Sequence, residues 1–135
     1  MAFTPLRRDS GQSRNFLTES NTVITKDMAL DVSAAGYVQP ATAATTEGKI
    51  VATQDITTWA GVHTTINCLL NYGGCIEYTA LMNKTPVQAD ILVKYDLADA
   101  NTVNGNFSTN SVFLVTEIAD AANNLVLGHF VLKDA

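Results

Sequence analysis

The stretch that decides the fold is MALDVSAAGYVQPATAATTEGKIVATQDITTW, residues 28–59. Its segment Leu30–Val32 alternates apolar and acidic residues, the two-residue period of a strand with one buried face. Ser33–Gly36 has the small residues of a turn. Tyr37–Pro40 resumes extended chain, and its proline favours an edge strand. With Lys49–Ala52 as a third strand, the stretch predicts short strands joined by small-residue turns.

Further strands are predicted towards the middle of the chain. Thr64–Leu70 fits either a strand or a short helix, and the NYGG sequence at 71–74 is a turn signal. Cys75–Leu81 alternates as a strand, so these two segments are expected to form a hairpin. Ile91–Tyr95 is interpreted as a compact apolar strand.

The last hairpin gives the clearest local signal. Val112–Ile118 and Leu125–Leu132 are rich in β-forming residues, and Asp120–Asn124 turns between them. The fold class that follows is mainly β: a small β-barrel, β-tulip-like or sandwich domain with an extended N-terminal arm.

The chain length favours one domain. Its 135 residues suffice for a single hydrophobic core, and 47% of them are apolar. Residues 1–21 are polar, mixed and without periodicity, so they are interpreted as an extended arm. Residues 22–135 are interpreted as a single β-rich domain.

The charge is unevenly distributed. The net charge of −5 disfavours a nucleic-acid partner, which requires a basic face. Arg7, Arg8 and Arg14 nevertheless lie within the first fourteen residues. Such an asymmetry fits an interaction tail, and it fits a solvated terminus equally well.

The sequence predicts a soluble protein without a membrane partner. Residues 56–76 contain no Asp, Glu, Lys or Arg, but Thr, Asn, Gly and His interrupt the apolar residues. No apolar block of about 20 residues results, so a transmembrane helix is not predicted. No secretory signal is recognised at the N-terminus.

Residues that could carry chemistry are few. His63, Cys68, Cys75 and His129 are the soft metal-ligand types, and their spacing matches no zinc pattern. A Cys68–Cys75 disulfide is conceivable, although free thiols are preferred. His63 or His129 could pair with Cys68 in space as base and nucleophile, but any chain with two histidines offers such a coincidence, so no catalytic, metal or cofactor residue is predicted.

Two other features have ordinary structural interpretations. Asp96, Asp99 and Asn101 resemble the start of a calcium loop but lack its glycine and final glutamate, so a polar turn is expected. Trp59 is expected to be core or half-buried rather than an interface anchor.

The order of several short segments matches a known pattern. The first group is Leu30-Asp31, Gly36–Pro40, Ala41–Thr46 and Ile50–Ala52. The second is Ile76–Tyr78, Tyr95–Leu97, Thr102–Asn104 and Leu127–Phe130. This order, over about residues 22–132, resembles the capsid decoration (cement) proteins of tailed bacteriophages, of the lambda-like type.

The resemblance implies a structural protein of the virion rather than an enzyme. Such a protein binds the outer surface of the expanded capsid, cements neighbouring major capsid proteins, and forms a homotrimer at three-fold and quasi-three-fold sites. It would be assembled in the cytoplasm of the host bacterium. The arm residues expected to contact the capsid are Phe3, Leu6, Arg7, Arg8, Arg14 and Phe16. The small residues expected at an oligomer contact are Ala41, Thr42, Ala43, Ala44, Thr45 and Thr46.

A second hypothesis is a small glycan- or receptor-binding β-domain of a phage fibre or head spike. Trp59, Tyr37 and Tyr72 would then offer aromatic platforms. An enzyme is the third hypothesis, and it would need converging titratable groups in a pocket.

Overall fold

Short strands dominate the computed structural model, which describes residues 3–5, 13–71 and 76–131. The strands are β1 (Thr4–Pro5), β2 (Ser13–Leu17), β3 (Val23–Ile24), β4 (Ala29–Val32), β5 (Val38–Pro40), β6 (Ile50–Ala52), β7 (Ile56–Thr57), β8 (Thr65–Leu70), β9 (Tyr78–Met82), β10 (Lys94–Asp99), β11 (Thr102–Asn104), β12 (Phe113–Asp120) and β13 (Leu125–Phe130). Two single-turn 3₁₀ helices, Gln88–Asp90 and Ala121–Asn123, lie between strands. The mainly β fold class is therefore confirmed.

The first lobe is a five-stranded sheet whose two end strands approach each other at one point. Its strand order is β2-β8-β6-β4-β5. At its two ends, Thr18 forms a bridge to Val38, and the Glu19 amide donates to the Val38 carbonyl at 2.8 Å. The result is a small, partly open barrel whose interior holds Leu30, Ile50 and Ile66, each no more than 2% exposed.

The second lobe is a ring of strands. The order β9-β11-β10-β12-β13 returns to β9, because β13 pairs with β9 as well as with β12. Strand β11 runs parallel to β9, whereas the other pairs in the ring are antiparallel. Strand β1 pairs with the first residues of β9, on the side opposite β13.

The two lobes share the larger core. Because side chains alternate along a strand, Ala29, Val51 and Leu69 point outward from the first barrel where their neighbours point inward. These three residues are paired across β4, β6 and β8 and pack into the core of the second lobe. The Ala29 amide also donates to the Ala100 carbonyl at 2.8 Å.

The described part of residues 1–21 belongs to this body, which corrects the prediction of a separate arm. Phe3 is 0% exposed, and its ring lies 5.5 Å from that of Phe113 and 4.8 Å from that of Phe130. Residues 13–17 form β2 of the first barrel. Burial of the Phe3 ring and main-chain pairing of residues 13–17 thus decide where these residues lie, in spite of the polar composition on which the arm prediction rested.

Several predicted elements are confirmed. Strands β4, β5 and β6 occupy the three predicted segments of the opening stretch, and β5 with Pro40 is the last strand of its sheet. Gly36 has a φ of +91° in the turn between β4 and β5. Thr65–Leu70 is a strand, and the C-terminal hairpin is β12–β13.

Two predictions about the middle of the chain are wrong. Strands β8 and β9 do not form a hairpin, because β8 pairs with β2 and β6 while β9 lies in the other sheet. The strand predicted at Ile91–Tyr95 begins only at Lys94. Ile91 instead caps the 3₁₀ turn, and Leu92 has a φ of +63°, far from the φ of a regular strand.

Candidate interaction surfaces

The open edge of β2 is the first candidate surface. Four of its five residues are exposed, and its outer side carries no strand except at the Thr18–Val38 bridge, among the described residues. The Thr18 amide donates to Thr64 of the β8 side and the Glu19 amide to Val38 on the other side. By the alternation of an antiparallel ladder, the amides of Ser13, Asn15 and Leu17 then face the open edge.

The predicted capsid-contact residues occupy different environments. Arg14 lies on β2, exposed, and its Nη1 donates to the Ser13 carbonyl at 2.8 Å. Phe16 is half-buried against the core of the first barrel. Phe3 is fully buried in the larger core, so its predicted contact with a partner is corrected. Leu6, Arg7 and Arg8 lie outside the described residues.

The predicted oligomer loop, residues 41–46, is only partly exposed. Ala41 is 4% and Thr45 2% exposed, so these two are corrected to internal positions. The Thr45 hydroxyl donates to Asp31 Oδ2 at 2.9 Å and accepts from the Thr42 amide at 2.9 Å. Thr42, Ala43, Ala44 and Thr46 remain exposed.

A shallow cavity of about 120 Å³ lies beside this loop. It is lined by Leu30, Asp31, Val32, Thr46, Glu47 and Lys49. The three charged side chains, Asp31, Glu47 and Lys49, give it both signs of charge.

Trp59 is the clearest departure from the sequence interpretation. The prediction that it packs in the core or is half-buried is wrong, since it is 66% exposed. It follows β7, whose ribbon with β3 places Val23 opposite Thr57. Ile24 of that ribbon and Thr58, which directly follows β7, are buried, whereas the next residue, Trp59, is exposed to solvent.

Tyr37 and His63, which follows the turn after Trp59, form a stacked aromatic pair. The rings of Tyr37 and His63 stack with centroids 3.8 Å apart and an interplanar angle of 11°. His63 Nδ1 is 2.9 Å from the Thr18 carbonyl, which can only accept, so this nitrogen carries the hydrogen. The pair thereby links β5, β8 and the end of β2 where the two end strands of the first barrel approach each other.

A buried polar network organises the loop before β10. Asp90 accepts from Lys84 Nζ at 3.0 and 3.2 Å, from the Val87 amide at 2.8 Å and from the Tyr95 hydroxyl at 2.5 Å. Burial acts to raise the pKa of Asp90, but the bonds from Tyr95, Val87 and Lys84 and the lysine charge lower it overall. Burial, with the bond to Asp90 and its charge, raises the pKa of Tyr95 to about 12.

This network was not predicted from the sequence. Lys84 and Asp90 are six residues apart, with Pro86 between them. At this separation neither a helix nor a strand brings two side chains into contact. Only the turn at Val87–Asp90 and the start of β10 bring Lys84, Asp90 and Tyr95 together. The described partners of Asp90 all lie between Lys84 and Tyr95, so its role is to hold this loop.

The residues considered for metals do not converge. Cys68 is a free, fully buried thiol, and burial raises its pKa to about 12. Asp99 accepts from the Asn101 amide at 2.8 Å, as in the predicted polar turn. Over residues 3–5, 13–71 and 76–131, no three His, Cys, Asp or Glu side chains are grouped as metal ligands. Cys75 and Tyr72 lie outside these residues.

Within the described part of the chain, no helix has the length and apolar content needed to cross a membrane.

Comparison with known proteins returned no match among protein-family models, curated proteins or solved structures.

Proposed function

We propose that this chain is a structural virion protein that binds the outer surface of an expanded tailed-phage capsid and cements neighbouring major capsid proteins. It acts as a homotrimer at three-fold and quasi-three-fold sites, after assembly in the bacterial cytoplasm. The proposal begins with the order of segments shared with decoration proteins. The observation that carries it is the open edge of β2, with Arg14 on the strand and Arg7 and Arg8 just before it.

An open strand edge supports this function because it recognises main chain. An extended segment of a capsid subunit can add to β2 through the outward amides of Ser13, Asn15 and Leu17. Main-chain hydrogen bonds supply affinity, and the arginines favour an acidic partner surface. In a trimer, the contact is repeated, and the linked contacts raise the avidity well above that of one site.

The strands on either side of Arg7 and Arg8 also bear on the proposal. Strand β1 pairs with β9 in the second lobe, and β2 pairs with β8 in the first. Residues 6–12 are thus joined to the folded body at both ends. We propose that Arg7 and Arg8 act from this segment between two paired strands.

The test is cosedimentation of the purified protein with expanded capsids that lack their decoration. Asn15→Pro removes one outward amide without removing a β8 hydrogen bond, as proline permits at an edge strand. Asn15→Ala is the matched control, since it loses the same side-chain contact with Asn67 but keeps the amide. The proline variant should bind at least tenfold more weakly than the alanine variant.

A second variant keeps the proposal testable if the proline variant does not fold. Arg7→Glu with Arg8→Glu reverses two charges without changing a residue of the described strands, and it should weaken binding most at low salt. Truncation of the N-terminus is unsuitable, because it removes Phe3 from the core. Wild-type protein that fails to bind expanded capsids, or variants that bind as tightly as wild type, would refute the proposal.

A further inference from the structure

The turn that follows β11 carries Asn104-Gly105, the single Asn-Gly sequence of the chain. The side-chain amide of an asparagine can be attacked by the main-chain nitrogen of the next residue. Glycine hinders this attack least, because it has no Cβ and its backbone turns freely. Asn104 is therefore the asparagine of this chain whose side-chain amide is chemically the most labile.

The packing around Gly105 requires a glycine. Gly105 is buried, and an added Cβ would lie 2.6 Å from Lys84 Cε and 2.8 Å from Met82 Sδ. Lys84 cannot move aside freely, since its Nζ donates to Asp90 Oδ1 at 3.0 Å. The fold thus keeps the residue that makes Asn104 labile.

The turn itself favours asparagine at position 104. The Asn104 carbonyl accepts from the Phe107 amide at 3.4 Å, and Asn104 Oδ1 accepts from the Asn106 amide at 3.1 Å. The second bond is that of an Asx-turn, in which the side-chain oxygen takes the place of a main-chain acceptor. Both residues of the labile sequence are therefore explained by the local structure.

Asn83 holds the two groups that would react. Its Oδ1 accepts from the Gly105 amide at 2.9 Å, and its Nδ2 donates to Asn104 Oδ1 at 3.2 Å. Asn83 is fixed in turn, because its own amide donates to the Val103 carbonyl at 3.0 Å. The bond to Asn83 stabilises the protonated Gly105 amide, and the bond to Asn104 keeps the side chain of Asn104 from rotating towards that nitrogen.

We infer that Asn104-Gly105 is a deamidation site of this chain, and that Asn83 is the positioning residue that sets its rate. In the reaction, the Gly105 nitrogen bonds to Asn104 Cγ, the bond from Cγ to Nδ2 breaks, and ammonia leaves with the amide proton of Gly105. Water then opens the succinimide ring. Attack of water on Cγ gives aspartate, and attack on the main-chain carbon of Asn104 gives isoaspartate.

Either product would disturb the ring of the second lobe. Asn104 lies directly opposite Asp96 in the β10–β11 pair, and Asp96 is 6% exposed. A carboxylate at position 104 would face this second carboxylate, and like charges directly opposite destabilise a sheet. Isoaspartate would also lengthen the main chain by one carbon atom and shift the pairing beyond it.

The experiment incubates the full chain in mildly alkaline buffer, with and without denaturant. Mass spectrometry of proteolytic fragments then follows the conversion of amide to acid at each asparagine. In denaturant, Asn104 should react faster than every other asparagine. In the folded protein its rate should be at least about tenfold lower, because the bonds from Asn83 must first break.

Substitution of Asn83 separates its effect from that of the fold as a whole. Folded Asn83→Ala should deamidate at Asn104 about tenfold faster than folded wild type. Asn83→Asp keeps the oxygen that accepts from Gly105, so it should react more slowly than the alanine variant. Circular dichroism checks that each variant is folded.

Two controls leave the bonds of Asn83 intact. Asn123→Ala removes an exposed asparagine whose Nδ2 donates to Asp120 Oδ2 at 2.7 Å, far along the chain from the turn. Gly61→Ala strains a turn of the first lobe, where the φ is +77°. Both variants should deamidate at Asn104 at the wild-type rate.

The inference about the site fails if another asparagine reacts first in denaturant, or if folding does not slow the reaction at Asn104. The role of Asn83 fails if folded Asn83→Ala reacts at the wild-type rate, or if Gly61→Ala accelerates the reaction as much. The converted protein can be separated by ion exchange and should unfold at a lower urea concentration. Equal stability would contradict the effect on the β10–β11 pair. No capsid is present, so these results are independent of the proposed function.

Discussion

The ring of Phe3 lies 4.8 Å from the ring of Phe130, tilted by 50°, so the third residue of the chain packs on its last described strand. Tyr78 and Phe113 complete the aromatic cluster around Phe130. The N-terminal residues are thereby part of the core. Any function of Arg7 and Arg8 must operate from a segment anchored on both sides.

Phe3→Ala should lower the free energy of unfolding by about 3 kcal/mol, because it removes a buried ring and leaves a cavity. Urea denaturation followed by circular dichroism measures the change. Leu17→Ala, at a residue that is 50% exposed, should change stability by less than about 0.5 kcal/mol. Equal effects of the two substitutions would show that Phe3 does not pack in the core.

Gly48→Ala should also destabilise the fold. An added Cβ would lie 2.0 Å from Phe130 Cδ1, and the surrounding aromatic cluster prevents this ring from moving aside. We expect a loss of about 2 kcal/mol from overpacking.

Gly61→Ala is its control, since an added Cβ there meets no atom within 4 Å. The positive φ of Gly61, +77°, should cost only about 1 kcal/mol. Thermal unfolding of the two variants gives the ranking, and a Gly48 variant as stable as wild type would contradict the close contact.

Asp90→Asn should lower the free energy of unfolding by about 2 kcal/mol at pH 7, since it weakens charge-assisted bonds at a site 3% exposed. The pKa of Asp90 is lowered in the folded protein. Its carboxylate therefore stabilises the fold above the ordinary carboxyl pKa, and this is lost as the pH falls through the lower, folded value.

The measurement for Asp90 is the difference in unfolding free energy between wild type and Asp90→Asn from pH 7 down to about pH 2. The difference should shrink in the acid range. Asp99→Asn, at an exposed carboxylate, should show a much smaller change. A difference that is constant with pH would argue against a charged Asp90 in the network.

Cys68 should be inert towards thiol reagents in the folded protein. Its thiol is 0% exposed and its pKa is raised to about 12 by burial, so at pH 8 only about one molecule in ten thousand carries the thiolate. A Cys75→Ser variant leaves Cys68 as the sole thiol. In denaturant, a disulfide reagent should label Cys68 completely. In the absence of denaturant, the rate of labelling should equal the rate at which the protein unfolds.

Local signals predicted some of the strands and turns of the fold. Period-two alternation at Leu30–Val32, the small residues before Gly36 and the β-rich segments around residues 120–124 predicted β4, the following turn and the β12–β13 hairpin. These features depend on side-chain alternation and turn geometry, which neighbouring residues specify. The sequence could not predict that β8 and β9 part into different sheets, because strand pairing depends on contacts distant in the chain.

The candidate surfaces were less predictable than the strands. Hydrophobicity placed Trp59 inside, whereas it is exposed to solvent beyond the β3–β7 ribbon. Polar composition placed Phe3 in an arm, whereas its ring fills a space in the second lobe. A single apolar residue has no period to indicate its burial, so its neighbours in space decide it.

The sequence by itself determined a mainly β chain, its acidic charge, its basic N-terminal cluster and the turns that pattern alone specifies. Only the tertiary structure decided that the strands form a partly open barrel joined to a ring, that the N-terminus is anchored in the core, and that Trp59 is exposed. The physical reason is that alternation and turn propensity act between neighbours in sequence. Ring closure, aromatic packing and exposure depend on residues up to 127 positions apart, as Phe3 and Phe130 are.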